Sequence, residues 1–143
     1  MIDKNEDQTS RNVRIKNIAY WITTVLGPIS FVIGGFLHLT HNPEVVNRLA
    51  HLGYPAYFAS ILGFWKLAGA IVIAVPRLPL FKEWAYAGFF FVLTGATASH
   101  AFQGEGIAAL APLLFLTLCV ASWALRPASR KLKMMDEGGR FHG

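Results

Sequence analysis

The stretch from Gly63 to Pro76, GFWKLAGAIVIAVP, is apolar almost throughout, yet Lys66 sits inside it. A primary amine in such surroundings has two uses. It can snorkel along its own stem to an interface, or bond to backbone carbonyls of a kinked helix. It can instead line a polar cavity and hold an anionic or carbonyl-bearing ligand, which is the default expectation for an ionisable side chain inside a membrane segment. Histidine offers related chemistry: a hydrogen bond to a carbonyl, a proton relay, or a metal ligand. His38, His41, His51 and His100 all fall at one end of apolar segments, and His142 lies in the tail. His38 and His41 are three residues apart and share a helix face, but no further ligand follows at a strong spacing, so no metal site is assigned. Histidines satisfied by water and backbone are the alternative to a ligand or relay role. The single cysteine, Cys119, makes an intrachain disulfide or a CxxC pair impossible and reads as a packing residue.

The elements that must position these groups follow from composition. Charged residues make up 15% of the 143-residue chain, against roughly 25% in soluble domains. The charges lie mostly at the chain ends, so the middle cannot cover a soluble surface. Four apolar stretches, about 18–39, 56–75, 84–102 and 107–125, approach the ~20 residues a membrane-spanning helix needs. Helix is expected because backbone groups in hydrocarbon must pair within their own segment, and the runs lack the alternation of a barrel strand. The first stretch follows a polar arm and is too long for a cleaved signal peptide. Residues 1–16 are expected to form a cytoplasmic arm, 17–126 the bundle, and 127–143 a basic cytoplasmic tail. Of the 13 Lys and Arg residues, 11 flank the spans on one side, Arg48 alone lies on the other, and Lys66 is intramembrane. By the positive-inside rule both termini face the cytoplasm, and a bacterial inner membrane is the expected location. The basic residues flank apolar runs and do not form an aromatic-laced patch, so no nucleic-acid partner is expected. The fold class is an all-α transmembrane four-helix bundle, up-down-up-down.

Local signals refine this picture. Pro76 and Pro79 should end the second span, Gly104 and Gly106 should allow a tight turn, and Pro28 and Pro112 should kink the first and fourth spans. Tyr20, Trp21, Tyr54, Tyr57, Trp84, Tyr86 and Trp123 lie near span ends, where interfacial rings are expected. At 100° per residue, Lys66 shares a face with Ala59, Gly63, Gly69 and Ala70, while Ile61, Phe64, Trp65, Ala68, Ile71 and Val72 occupy the opposite face. Small residues mark helix–helix contacts in membranes, so Lys66 should point into the bundle, near mid-bilayer. His38 shares a stripe with Thr24, Gly27, Phe31 and Gly34; His100 lies near Ala96 and Thr97. These stripes should bring His38 and His100 together at an outer mouth above Lys66, with Thr97 and Ser99 beside it. Glu83 should offset a helix dipole and pair with Arg77 or Lys82, and Gly63, Gly69, Glu83 and Trp84 are expected to be structural or interface residues.

The string KLAGAIVIAVPRLPLFKEWAYAGFFF, followed by GATASHAFQGEG, resembles the DoxX-like family of small four-helix membrane proteins. The matching positions are Lys66, Gly69, Pro76, the run from Lys82 to Phe89, and Gly95, Ala96, Ser99 and His100. The resemblance implies a redox-linked membrane subunit, by analogy with a small subunit of an archaeal thiosulfate:quinone oxidoreductase and with proteins of redox homeostasis and methylamine-utilisation maturation. A lone cysteine departs from any dithiol version of that role. The reading is a membrane protein that binds a quinone or other lipophilic molecule, with Lys66, His38 and His100 contacting it and Thr97 and Ser99 nearby. A membrane or redox protein is the expected partner besides the lipid bilayer. A non-catalytic scaffold is the alternative, and a small oligomeric transporter a third. With no nucleophile–base pair, nucleotide loop or strong metal motif, a stand-alone enzyme is not expected.

Overall fold

The computed structural model describes residues 2–132, all in helices, turns or short connections with no strand among them. Six α-helices follow in order: α1 (Ile2–Leu26), α2 (Phe31–Leu39), α3 (Pro43–His51), α4 (Tyr57–Ala74), α5 (Pro79–Phe102) and α6 (Gly106–Leu125). A 3-10 turn, Pro28–Ser30, separates α1 from α2, and a second, Ala128–Arg130, follows α6. Helix α1 packs on α6, α2 on α4, α4 on α5 and α5 on α6, which closes a ring around the core residues Phe31, Ile73, Phe89, Leu93 and Cys119.

Among the described residues, three segments are long and apolar enough to cross a membrane: Glu6–Leu39, Tyr57–Ala74 and Gly106–Leu125. The stretch expected at 84–102 lies inside the 24-residue α5, but Thr94, Thr97, Ser99 and His100 dilute its apolar character, and it is not among those three. The expected first span is likewise two helices, because Pro28 has no amide hydrogen to continue the α1 ladder; the chain restarts as α2 at Phe31. Towards the N-terminus α1 runs without interruption to Ile2, through the stretch read as an arm. Pro112, by contrast, sits within an unbroken α6. The tail beyond residue 132, with Lys133, Arg140 and His142, lies outside the described residues.

Small residues set the helix spacing. A Cβ at Gly63 would come within 2.8 Å of the Gly35 carbonyl oxygen, and one at Gly35 within 3.0 Å of the Gly63 carbonyl oxygen, so α2 and α4 meet backbone to backbone. A Cβ at Gly69 would approach the Phe89 ring to 2.9 Å, which fixes α4 on α5. The opposite face of α4 is bulky and exposed at Ile61, Phe64, Trp65 and Ile71. Two faces of one helix thus separate as their side-chain sizes require.

The connection between the first two expected spans holds α3. Its signals are local: the Asn42 side chain accepts a 3.0 Å bond from the Glu44 amide, Pro43 occupies the first turn, and Arg48 pairs with Glu44 at 2.6 Å. Leu49 is its one buried residue.

Candidate functional site

Prolines end α4 abruptly, and the carbonyls of its last turn have no following amides to meet. Lys82, reaching back from the first turn of α5, donates to the carbonyl oxygens of Val72 at 2.6 Å, Ile73 at 2.8 Å and Val75. Its side chain is fully buried, so a lysine counted in the sequence as a surface charge is a helix cap. Arg130 adds bonds of 3.1 Å to the Ile73 carbonyl and 3.3 Å to that of Ala74, while its guanidinium lies 4.9 Å from the Trp21 ring centre.

Glu83 pairs with neither Arg77 nor Lys82, contrary to the sequence expectation. Lys82 is turned inward onto α4, and Glu83 instead accepts from Arg126 Nη2 at 2.7 Å and Trp123 Nε1 at 2.8 Å, joining α5 to the end of α6. Beneath this pair, Tyr86 OH lies 2.7 Å from Ser122 Oγ, which lies 2.6 Å from Thr24 Oγ1; Thr24 in turn donates to the Tyr20 carbonyl at 2.6 Å. Tyr20 and Tyr86, expected as interfacial rings, are buried, because their hydroxyl and backbone groups belong to this internal network. Trp84 is exposed and packs edge-on against Phe81 at 5.5 Å.

At the other end of the bundle, His38, Lys66 and His100 line one cavity of about 500 Å³, together with Tyr54, Arg48 and the apolar residues of α3. Lys66 is half-buried on α4. Among the described residues its ammonium has no hydrogen bond or ion pair; the centroid of the Phe31 ring lies 5.7 Å away. His38 Nδ1 lies 2.6 Å from the Gly34 carbonyl oxygen. A carbonyl only accepts, so Nδ1 carries the proton and Nε2 is left for another partner. His41 turns away from this cavity to Ser60 Oγ at 2.8 Å. The i,i+3 pair is therefore split, and no group of three potential metal ligands occurs among the described residues.

Two of the predicted neighbours do other work. Thr97 donates to the Leu93 carbonyl at 2.8 Å within its own helix and is not part of the cavity wall. Ser99 donates to the Gly95 carbonyl at 2.9 Å and lies 2.8 Å from Tyr54 OH, so it positions a cavity residue from behind. What sequence reasoning missed is the outer rim. Glu105 accepts from His100 Nδ1 at 2.7 Å and from His51 Nε2 at 2.9 Å, tying α3, α5 and the start of α6 together. The His100 hydrogen bond, followed by that of His51, holds the Glu105 carboxyl below its ordinary range. The adjacent signal was the Gly104 turn, with φ +75°, which folds Glu105 back over the end of α5. Cys119 is buried on α6 and lines a different groove, between α5 and α6.

The cavity therefore offers an ammonium with free donors, an imidazole nitrogen and a tyrosine hydroxyl inside apolar walls. Such an arrangement can donate hydrogen bonds to an oxygen acceptor on an otherwise apolar molecule. No curated protein and no solved structure matches the chain. A family model described as the DoxX-like family matches residues 22–122, most of the helical ring and every residue of the cavity, and the chain belongs to that family.

Proposed function

We propose that the protein is an integral membrane protein whose four helical columns cross the bilayer in alternating directions, with both termini cytoplasmic in a bacterial inner membrane, and that it binds a quinone or similar lipophilic carbonyl compound as a redox-linked membrane subunit. The apolar segments and the charge asymmetry support the placement. Helix α5 fits as the fourth crossing because it packs between α4 and α6 and is 24 residues long, about 36 Å at 1.5 Å per residue.

The observation that carries the ligand reading is Lys66. A lysine within an apolar segment costs roughly 2.5–3.5 kcal/mol to insert, and nothing among the described residues offsets that with an ion pair. It faces a cavity that His38 and His100 also line. A bound carbonyl oxygen would accept from the ammonium, and His38 Nε2 would meet a second polar atom of the same head group.

Titration of purified protein in lipid nanodiscs with a 1,4-benzoquinone tests this. Wild-type protein is expected to bind, and Lys66→Ala to bind about tenfold more weakly, the loss of one charge-assisted hydrogen bond. Equal binding by the two proteins removes Lys66 from the site and favours a scaffold role.

A further inference from the structure

The cavity holding His38, Lys66 and His100 has a neighbour. Between α4 and α5 runs a groove of about 410 Å³, whose walls include Trp65, Gly69, Val72, Trp84, Gly88 and Phe89. Phe58, Leu62, Lys66 and Val92 line both spaces. The two differ sharply in chemistry. The first is edged by two histidines, Arg48, Tyr54 and Lys66; the second has Lys66 as its one ionisable residue and is otherwise apolar. Trp65 and Trp84, on either side of the groove, are 65% and 64% exposed, so it opens on the outer surface of the ring.

We infer that the ligand is a single-chain amphiphile, its oxygen-bearing head in the histidine-lined cavity and its apolar chain laid along the α4–α5 groove, with Lys66 at the junction; this rests on the ligand reading of that cavity. An ammonium at the boundary between a polar and an apolar chamber can hold the head oxygen while its own aliphatic stem continues the apolar wall. Gly88 presents no side chain to the groove, and a Cβ there would meet nothing within 4 Å. The opening on the exposed face lets a chain enter sideways from the surrounding lipid, without passing through the polar cavity.

Gly88 and Gly95 make the two chambers separately testable. Both line open space: Gly88 the groove and Gly95 the cavity. Binding is measured in the same nanodiscs for a benzoquinone without a side chain, for the same benzoquinone with a decyl chain, and for palmitate. Each variant is compared with wild type for one probe at a time, which cancels partitioning of the chain into lipid. Gly88→Phe, with Gly88→Leu as a milder filling, is expected to weaken the decyl compound about tenfold and leave the chainless one within about twofold. Gly95→Leu is expected to weaken both. Competition by palmitate assigns the head contact to a carboxylate as well as a carbonyl; its absence restricts the head to a neutral carbonyl. If the decyl compound binds both Gly88 variants as it binds wild type while Lys66→Ala still weakens it, the groove holds bilayer lipid only and the chain assignment falls. If neither Lys66→Ala nor Gly95→Leu changes any probe, the head cavity itself falls.

Discussion

Lys66 and Lys82 lie on two helices packed against each other, in one small bundle, and their surroundings are opposite. The Lys82 ammonium donates to three carbonyl oxygens at the end of α4 and is fully buried. The Lys66 ammonium, half-buried, has a phenyl ring 5.7 Å away at its centroid and open cavity beside it. The same contrast extends to the neighbours. Around Lys82, Glu83 is paired with Arg126 and Trp123, and the hydroxyls of Tyr86, Ser122 and Thr24 form one chain. Around Lys66, the His38 ring keeps a nitrogen unengaged and Tyr54 and Arg48 edge a void. Charges whose partners are internal hold a fold together; a charge whose partners are absent beside a void calls for a partner from outside.

The internally paired end should be the costlier to disturb. Glu83→Ala leaves the Arg126 guanidinium, whose side chain is 3% exposed, without its counter-charge. The expected loss is about 3 kcal/mol, read as a fall in thermal unfolding temperature in detergent micelles. Next in size, Lys82→Met removes the donor shared by three carbonyl oxygens, of which that of Ile73 keeps a bond from Arg130, and uncaps α4. A loss of about 2 kcal/mol is expected in the same assay. Either variant unfolding at the wild-type temperature would show that this end is not what holds the ring.

The sequence makes this contrast only half visible. Hydropathy, the proline breaks and the small-residue stripe Ala59, Gly63 and Ala70 identify the helical class and the inward face of α4, because these depend on local composition and on a period of 3.6 residues. Lys66, His38 and His100 could be assigned to one space because each sits on its own helix's small or polar stripe. Lys82 could not be read, since counting basic residues treats every lysine near a span as a surface charge; its burial depends on the chain doubling back at Pro76–Pro79. Glu83 was assigned to sequence neighbours, whereas its partners lie on α6, some forty residues away. The α3 helix, in contrast, has a readable start in Asn42-Pro43-Glu44: a side-chain cap, a first-turn proline and a first-turn acid.

Third in size is the test at the unsatisfied end. Lys66→Met removes the charge and keeps the stem. Since no internal partner is lost, the unfolding temperature should stay level or rise, while benzoquinone affinity falls about tenfold. If Lys66→Met destabilises the protein as much as Lys82→Met does, Lys66 is a structural residue and the distinction between the two ends disappears.

The smallest effect belongs to Glu105, which closes the rim between His100 and His51. Its hydrogen bonds favour the carboxylate, so its folded-state pKa lies below the unfolded one. Its contribution to stability is thus fully present above the ordinary glutamate value of about 4.3 and is lost as pH falls through the lower, folded value. Wild type should lose stability more steeply than Glu105→Gln in that acid window, and the two curves should run parallel at neutral pH. Because the rim ties α3 to the mouth of the cavity, the protection factors of α3 amides, which divide out the intrinsic exchange rate at each pH, should fall over the same acid window in wild type. In Glu105→Gln the protection should already be low at neutral pH, with little further change on acidification. Protection at α3 that ignores both acid and the substitution would mean that the rim does not fasten this helix, and that Leu49 and the Asn42 cap hold it alone.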